Sequence, residues 1–232
     1  MKTIGLIGGM SWESTVTYYQ ILNNVIKERL GGLHSAKCIL YSVDFYEIEE
    51  CQSSGDWEKS ACILSEAAQS LEKAGADFIV ICTNTMHKVA DKIQENLNIP
   101  ILNIADVTAK ELNEKNIKKV ALIGTKYTMG QDFYKSKLIV NEIEVLIPEA
   151  DDIKLVNKII YDELCLGIIS EESRKIYLSI INKLVKQGAQ GAVLGCTEIG
   201  LLIKQEDVAV PLFDTTIIHA ERAALYSIED VE

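Results

Sequence analysis

Two short polar segments have the residue types for proton-transfer chemistry. An apolar run at residues 78–82 is followed by Thr-Asn-Thr at 83–85, and a second run, ending at Gly195, is followed by Cys-Thr-Glu at 196–198. Apolar runs of this length predict buried strands, and α/β proteins place their sites in the turns after such strands. A thiol has a pKa near 8.5 that its surroundings can lower. Cys196 is therefore a candidate acid–base group.

These two segments belong to an internal repeat. At an offset of 113 residues (196 − 83), Thr83 matches Cys196 and Asn84 matches Thr197. Two further pairs of segments repeat in the same order, at offsets of 116 (124 − 8) and 111 (211 − 100): 3–8 with 119–124, and 99–103 with 210–214. Offsets that drift only slightly are typical of a duplicated half with small insertions.

Each half alternates about four predicted strands with helices, which predicts parallel βαβ units. We expect an α/β protein of two pseudo-symmetric lobes, each a roughly four-stranded parallel sheet flanked by helices, with the active site in the cleft between them. One lobe would comprise 1–103 plus 212–232, and the other 104–211. The polar stretch 45–59 is expected to be a long loop over the site. The last helix, from about Thr216, should return to cover the first lobe.

The turn at residues 8–11 connects the first strand to a helix that Ser11 or Ser14 could cap. A glycine-rich turn at a helix N-terminus can bind an anion, but a tight turn without a ligand is equally consistent with the sequence. The dinucleotide fingerprint G-x-G-x-x-G is absent.

Composition excludes several classes of function. The chain has 232 residues and a net charge of −11, which argues against nucleic acid as a partner. Its six cysteines form no C-x-x-C pair, so no metal is expected. No apolar run reaches membrane length and no secretory signal pattern is present, so we expect no membrane association and a cytoplasmic protein with free thiols.

Two proton-handling groups that approach one small ligand from opposite sides suit inversion at a carbon atom. The repeat predicts this arrangement for Thr83 and Cys196. No cofactor is needed if the substrate's own carboxylate accepts the charge. Backbone N–H groups and the hydroxyls of Thr85, Thr125 and Thr197 would stabilise that charge.

The sequence resembles the cofactor-independent aspartate/glutamate racemase superfamily over nearly its whole length. The family motif C-N-T-x-H reads T-N-T-M-H at 83–87, and the motif G-C-T-E stands at 195–198. The stretches IGLIGGMSWEST, SVDFYEIEECQ and ALIGTKYTM are also similar to this family. The resemblance implies a two-lobed fold, racemisation of aspartate or glutamate, and a homodimer.

On this resemblance, Cys196 is the catalytic base and Thr83 the opposite-face donor or water relay. The residues expected to bind the substrate are Met10, Gln52, Asn84, Thr85, Thr125, Thr128, Thr197 and Glu198. Thr83 replaces the family's first cysteine, as in the L-aspartate/glutamate-specific subgroup. Gln52 and Cys165 stand where aspartate-specific members carry an arginine and a lysine. Cys82 is not the missing base, because side chains alternate along a strand and the repeat pairs it with Gly195.

Other functions remain open from the sequence. The chain could be a broad-specificity racemase of other amino acids, or an amino-acid-binding protein without catalysis. A cysteine hydrolase would use Cys196 as nucleophile and His87 or His219 as base. Maleate isomerases and arylmalonate decarboxylases share the superfamily's scaffold.

Overall fold

The computed structural model of the protein describes residues 1–229. Its strands are β1 (Ile4–Gly8), β2 (Cys38–Ser42), β3 (Phe78–Ile81), β4 (Lys119–Gly124), β5 (Glu144–Leu146), β6 (Gly191–Gly195) and β7 (Leu212–Asp214). Its α-helices are α1 (Trp12–Leu30), α2 (Phe45–Ser54), α3 (Trp57–Lys73), α4 (Ala90–Gln94), α5 (Ile104–Glu114), α6 (Lys126–Gly130), α7 (Asp132–Val140), α8 (Ala150–Asp162), α9 (Glu171–Lys186), α10 (Ile199–Leu202) and α11 (Thr215–Ile228). Short 3-10 helices lie at Thr85–Val89, Leu164–Leu166 and Gln205–Asp207.

The chain forms two compact α/β units, each with a parallel sheet flanked by helices. Unit 1 comprises Met1–Ile104 and the described residues from His219 onward, and unit 2 comprises Ala105–Ile218. The strand order is β2-β1-β3 in unit 1 and β5-β4-β6-β7 in unit 2, and all pairs are parallel. The predicted fold class is confirmed. The predicted boundary between the two lobes at residue 211 would put β6 and β7 in different lobes. In the structure these two strands pair and belong to unit 2.

The first sheet has three strands rather than the expected four. The predicted strand at 101–103 is reduced to a single parallel bridge between Ile79 and Ile101. The helix α5 begins directly afterwards, at Ile104. In the second sheet, β7 occupies the equivalent place.

Strand register follows the internal repeat. Ile7 pairs with Ile81 in unit 1. Their counterparts in the repeat, at offsets of 116 and 113, are Ile123 and Leu194, and these two residues pair in unit 2. In the same way, the bridge between Ile79 and Ile101 corresponds to the pairing of Ala192 with Leu212. The two units therefore repeat both topology and register, so Thr83 and Cys196 each lie just past the carboxyl end of equivalent strands.

The expected loop over 45–59 is wrong, because this stretch forms α2 and the start of α3. The Asp44 side chain accepts a hydrogen bond from the Tyr46 N–H at 3.1 Å and caps α2. Gly55, at φ 77°, ends α2 in the left-handed conformation. The buried face of α2 carries Gln52, which brings a predicted site residue into the interior.

The sheet of unit 1 buries both of its faces. One face packs Phe78, Val80 and Cys82 against α1 and the alanine-rich side of α11, so the predicted return of the last helix to the first unit is confirmed. The other face packs Ile79 and Ile81 against α2, α3 and α4. In unit 2, the core surrounds Ile123, Leu194 and Tyr177. Among residues 1–229, no helix is both long and apolar enough to cross a membrane.

In unit 2, β4 and β6 approach each other closely at their ends. A Cβ atom on Gly124 would lie 2.6 Å from the Gly195 carbonyl oxygen, directly before Cys196. The backbone cannot move away from such a contact, whereas a flexible side chain can. Glycine at 124 therefore lets the two strand ends lie side by side.

Gly124→Ala should accordingly lower the free energy of unfolding by about 1–3 kcal/mol, as other overpacking changes do. Gly130→Ala is the matched control, because a Cβ there meets nothing within 4 Å. Denaturant unfolding of both variants tests the prediction. Equal stability of the two variants would contradict it.

Candidate active site

The polar end of β3 places Cys82 and Thr83 in different surroundings. Cys82 is fully buried in the core with α1 and α11, and this burial raises the pKa of its thiol well above the ordinary value. Thr83, the next residue, is half-buried. Cys82 is therefore a packing residue, as the strand register predicts.

His87 holds the turn after β3. Its Nε2 accepts a hydrogen bond from the Ile104 backbone N–H at 3.1 Å. Since Nε2 is an acceptor, a neutral ring must carry its proton on Nδ1, which lies 2.8 Å from the Thr83 carbonyl oxygen and donates to it. His87 thus fixes the backbone of Thr83 and ties it to the first residue of α5.

His219 is a second buried, neutral histidine in unit 1. Its Nε2 lies 2.8 Å from the Leu102 carbonyl oxygen, which can only accept, so Nε2–H donates. Its Nδ1 then accepts from the Tyr18 hydroxyl at 2.9 Å. Burial, together with the nearby ring of His87, lowers the pKa of His219 to about 3. Tyr18 and His219 are core residues.

The substrate-binding residues predicted in unit 1 lie close to one another. Met10 and Met86 share one buried cluster, and the Gln52 side-chain amide donates to the Met86 sulfur at 3.1 Å. Asn84 and Thr85 are buried at the start of the following 3-10 helix. Unit 1 therefore brings Met10, Gln52 and the segment after β3 into one region.

The glycine-rich turn after β1 is already internally bonded. The Gly9 N–H donates to the Thr15 hydroxyl at 2.9 Å, and Ser11 caps α1 by accepting from the Ser14 N–H at 3.5 Å. A Cβ on Gly9 would lie 2.2 Å from the Val43 carbonyl oxygen, so glycine is required there. These bonds support the tight-turn interpretation over an anion site.

In unit 2, the end of β6 forms a hydrogen-bonded acid–base pair. The Cys196 Sγ–H donates to Glu198 Oε2 at 2.9 Å, and the Thr197 hydroxyl donates to Glu198 Oε1 at 3.0 Å. All three side chains are buried, and that of Glu198 is only 2% exposed. Glu198 thus accepts the hydrogen bond of the candidate base. The only signal for this role in the sequence was a glutamate two residues after the cysteine.

This arrangement keeps Cys196 as a thiol. Burial raises its pKa well above the ordinary value, and the negative charge of Glu198 raises it further. Cys165 also raises the pKa of Cys196, so the half-buried Cys165 thiol lies within electrostatic range. The expectation that the setting could lower the thiol pKa is therefore wrong for the free protein. A low-dielectric site next to a carboxylate disfavours a second negative charge.

Thr125 and Thr128 hold the turn after β4. The Thr125 hydroxyl caps α6 by accepting from the Thr128 N–H at 3.2 Å, and the two hydroxyl oxygens are also 3.2 Å apart. Thr128 is fully buried, and its methyl group would meet a Cβ on Gly195 at 3.1 Å. These threonines support the segment from which Cys196 projects.

The start of α11 fixes the same segment from the other side, which sequence analysis did not anticipate. The Thr215 hydroxyl donates to the Leu194 carbonyl oxygen at 2.8 Å, and the Thr216 hydroxyl to the Thr197 carbonyl oxygen at 3.5 Å. Asp214 caps α11 through the Thr216 N–H at 2.8 Å. Burial raises the pKa of Asp214.

The histidines offer no base for a cysteine hydrolase. Both ring nitrogens of His87 and of His219 are engaged in hydrogen bonds inside unit 1. Protonation of His87 would break its hydrogen bond from the Ile104 N–H in a buried site. Within residues 1–229, no group of three or more His, Cys, Asp or Glu side chains is arranged to hold a metal ion.

Parallel α/β folds place their sites at the carboxyl ends of the strands, where Thr83 and Cys196 lie. The model of the Asp/Glu/Hydantoin racemase family matches residues 7–223, and the chain belongs to this family. Several relatives are named as racemases, which are isomerases.

Three relatives illustrate the similarity. A structure from Yersinia pestis, described as a candidate Asp/Glu racemase, is 57% identical and has a TM-score of 0.91; the match covers 98% of this chain and 100% of that one. An aspartate racemase homologue from Pyrococcus horikoshii is 37% identical, with a TM-score of 0.84 over 98% of this chain and 99% of that one. A broad-specificity amino-acid racemase from Bacillus subtilis is 24% identical over 92% of each chain.

The raised pKa of Cys196 predicts slow alkylation that accelerates with pH. The thiolate is the reactive form, so the rate of modification by iodoacetamide should rise about tenfold per pH unit from pH 7 to beyond pH 9. Glu198→Gln removes the neighbouring negative charge, so its profile should shift to lower pH. Mass spectrometry of the peptide containing Cys196 distinguishes it from the exposed Cys62. A rate that levels off near pH 7 would contradict the assignment.

Proposed function

We propose that the protein is a cofactor-independent amino-acid racemase that inverts the α-carbon of aspartate or glutamate by two-sided proton transfer. Cys196 is the base, and Thr83 is the donor or water relay on the opposite face of the substrate. The observation that carries the proposal is the 2.9 Å hydrogen bond from the Cys196 thiol to Glu198 at the end of β6. Family membership and the equivalent register of β3 and β6 support it.

Glu198 makes Cys196 competent as a base. The thiol transfers its proton to Glu198 Oε2, and the resulting thiolate removes the α-proton of the substrate. Forming the thiolate costs less in this way than ionisation beside a negative carboxylate, because the pair keeps one negative charge throughout. Glu198 is therefore assigned as the proton acceptor for Cys196 in addition to its predicted role near the substrate.

The carbanion that forms on proton removal is stabilised through the substrate's carboxylate. We assign its binding to backbone N–H groups and to the hydroxyls of Thr85, Thr125 and Thr197. The Thr197 hydroxyl, which donates to Glu198 Oε1 in the free protein, would turn from Glu198 to the substrate.

The substitution of Thr83 for the family's first cysteine favours the L-aspartate/glutamate-specific subgroup. A hydroxyl is a far weaker acid than a thiol, so Thr83 donates or relays a proton but is a poor base. Cys196 then removes the α-proton of the L-enantiomer much faster than position 83 removes that of the D-enantiomer. The equilibrium constant of a racemisation is one, so kcat/KM must be equal for the two enantiomers. The enantiomer with the faster turnover therefore has the higher KM.

A broad-specificity racemase is the second candidate, and the surroundings of Gln52 favour it. Gln52 is a neutral amide that is 4% exposed and bonded to the Met86 sulfur. A neutral, partly apolar lining offers no charge to a side-chain carboxylate and suits uncharged side chains. The Bacillus subtilis relative is named for broad specificity.

The test is α-proton exchange in D₂O, measured for pure enantiomers of a panel of amino acids. Cys196→Ala should abolish exchange, with a loss of at least about 100-fold for a positioned acid–base group. Cys82→Ser is the matched control and should keep near-wild-type rates, because its side chain lies in the core. Near-wild-type exchange in the Cys196 variant would refute the mechanism. Exchange of neutral amino acids faster than of aspartate and glutamate would select the broad-specificity candidate.

Thr83→Cys should raise turnover of the D-enantiomer more than that of the L-enantiomer. The substitution supplies a second thiol at the position of the weak base, so it accelerates the slower direction. Initial exchange rates of each pure enantiomer, in wild type and variant, measure the effect. Equal rates for both enantiomers in the wild type, unchanged in the variant, would show that Cys196 is not the sole competent base.

A further inference from the structure

The backbone of Thr83 lies beyond the hydrogen-bonded ladder of its sheet. The pairing of β1 with β3 ends at Ile7 and Ile81. The Cys82 N–H still donates to the Ile7 carbonyl oxygen at 2.9 Å, but the Thr83 N–H turns back to the Ile81 carbonyl oxygen at 2.8 Å. Tight turns of this kind are common at strand ends. The position of Thr83 therefore depends on contacts from outside the ladder.

The His87 ring supplies such a contact. Its Nδ1–H donates to the Thr83 carbonyl oxygen at 2.8 Å, and the His87 backbone N–H donates to the Asn84 carbonyl oxygen at 3.1 Å. On the other side of the ring, Nε2 accepts from the Ile104 N–H at 3.1 Å. His87 is only 5% exposed. A buried ring that is bonded at both nitrogens has a fixed orientation, so it forms a rigid link between Thr83 and Ile104.

The far end of this link, residues 102–104, is itself fixed. The Leu102 N–H donates to the Ile79 carbonyl oxygen of β3 at 2.9 Å, and the Leu102 carbonyl oxygen accepts from His219 Nε2–H at 2.8 Å. The rings of His87 and His219 also meet edge to face, with their centroids 5.7 Å apart. This segment is therefore a rigid support to which His87 connects the strand end.

The second half of the repeat has no ring in the place of His87. At the offset of 113, His87 matches Gly200. Gly200 has no side chain, and the carboxylate of Asp214 occupies the space that a Cβ there would need. The segment around Cys196 is held instead by the hydroxyls that begin α11. The link through His87 is therefore specific to the strand end that carries Thr83.

We propose that His87 is a positioning residue for Thr83, and that its hydrogen bond to the Thr83 carbonyl oxygen determines how often the substrate is protonated on the Thr83 face. This role rests on the proposed function. After Cys196 removes the α-proton, Cys196 can return a proton to the α-carbon with retention of configuration. Alternatively, the Thr83 hydroxyl or its water donates one with inversion: the C–H bond forms as the O–H bond breaks, and the donor regains a proton from solvent.

Position decides between these two fates because a hydroxyl is a weak acid. A displacement of about 1 Å can cost a proton-transferring group about 100-fold in rate. In D₂O, the pair of Cys196 and Glu198 holds a solvent deuteron beside the abstracted proton, so return from this face also incorporates deuterium. Loss of the His87 link should therefore suppress inversion while deuterium incorporation with retention continues.

Two substitutions separate the two bonds of the ring. His87→Asn places its amide nitrogen where Nδ1 lies, so it can still donate to the Thr83 carbonyl oxygen. His87→Gln places its amide oxygen where Nε2 lies, so it keeps an acceptor for the Ile104 N–H and loses the bond to Thr83. Tyr18→Phe is the matched control, because it removes a buried hydrogen bond to His219 in the same unit.

The measurement is the ratio of inversion to deuterium incorporation at the α-carbon of L-aspartate or L-glutamate in D₂O, by chiral chromatography with mass spectrometry. His87→Gln should lower this ratio at least about tenfold, whereas His87→Asn and Tyr18→Phe should keep it within about threefold of the wild type. A ratio that is unchanged in His87→Gln, or equally lowered in all three variants, would overturn the role of His87 alone. A wild type that neither exchanges nor inverts would refute the proposed function and this role with it.

The geometry of the link has a test of its own. The structure requires His87 to carry its proton on Nδ1 and His219 on Nε2, so the two neutral rings are opposite tautomers. Long-range ¹H–¹⁵N NMR spectra distinguish these tautomers, and His87→Asn identifies the His87 signals. An Nε2–H tautomer of His87 would leave no donor at the Thr83 carbonyl oxygen and would overturn the role whatever the activity.

Discussion

The hydrogen bond between the Cys196 thiol and the Glu198 carboxylate is the interaction on which the proposed chemistry depends. Both groups are buried at the end of a parallel strand, where the low dielectric disfavours two adjacent negative charges. The pair therefore rests as thiol and carboxylate. A single proton shift within 2.9 Å creates a thiolate without adding charge to the site. A carboxylate two residues away thus turns an inert core cysteine into a candidate base.

Much of unit 2 serves to hold this pair in place. Gly124 lets β4 approach the backbone before Cys196, and the hydroxyls that begin α11 bond the carbonyl oxygens on either side of it. In unit 1, His87 performs the corresponding task for Thr83 through the Thr83 carbonyl oxygen. The duplicated strand ends are therefore fixed by different side chains. The repeat preserved strand register, while the supporting contacts diverged.

In unit 1, the faces of the sheet are covered by helices, whereas the outward edge of β2 is exposed. Both faces of the sheet are covered by helices of the same chain, which explains why Cys82 is a packing residue. Among residues 1–229, β2 pairs only with β1, so its other edge faces outward.

The sequence by itself determined the alternation of strands and helices, the duplication and the two polar strand ends, because these depend on local hydrophobic pattern and chain spacing. It misjudged residues 45–59, where capping by Asp44 and Gly55 outweighed polar composition and made a helix that buries Gln52. It also predicted a full strand at 101–103, where the structure has a single bridge between Ile79 and Ile101. Only the tertiary structure decided the protonation of the site. Whether Cys196 is thiol or thiolate, and which ring nitrogen of His87 carries a proton, depends on burial and on partners brought together by folding.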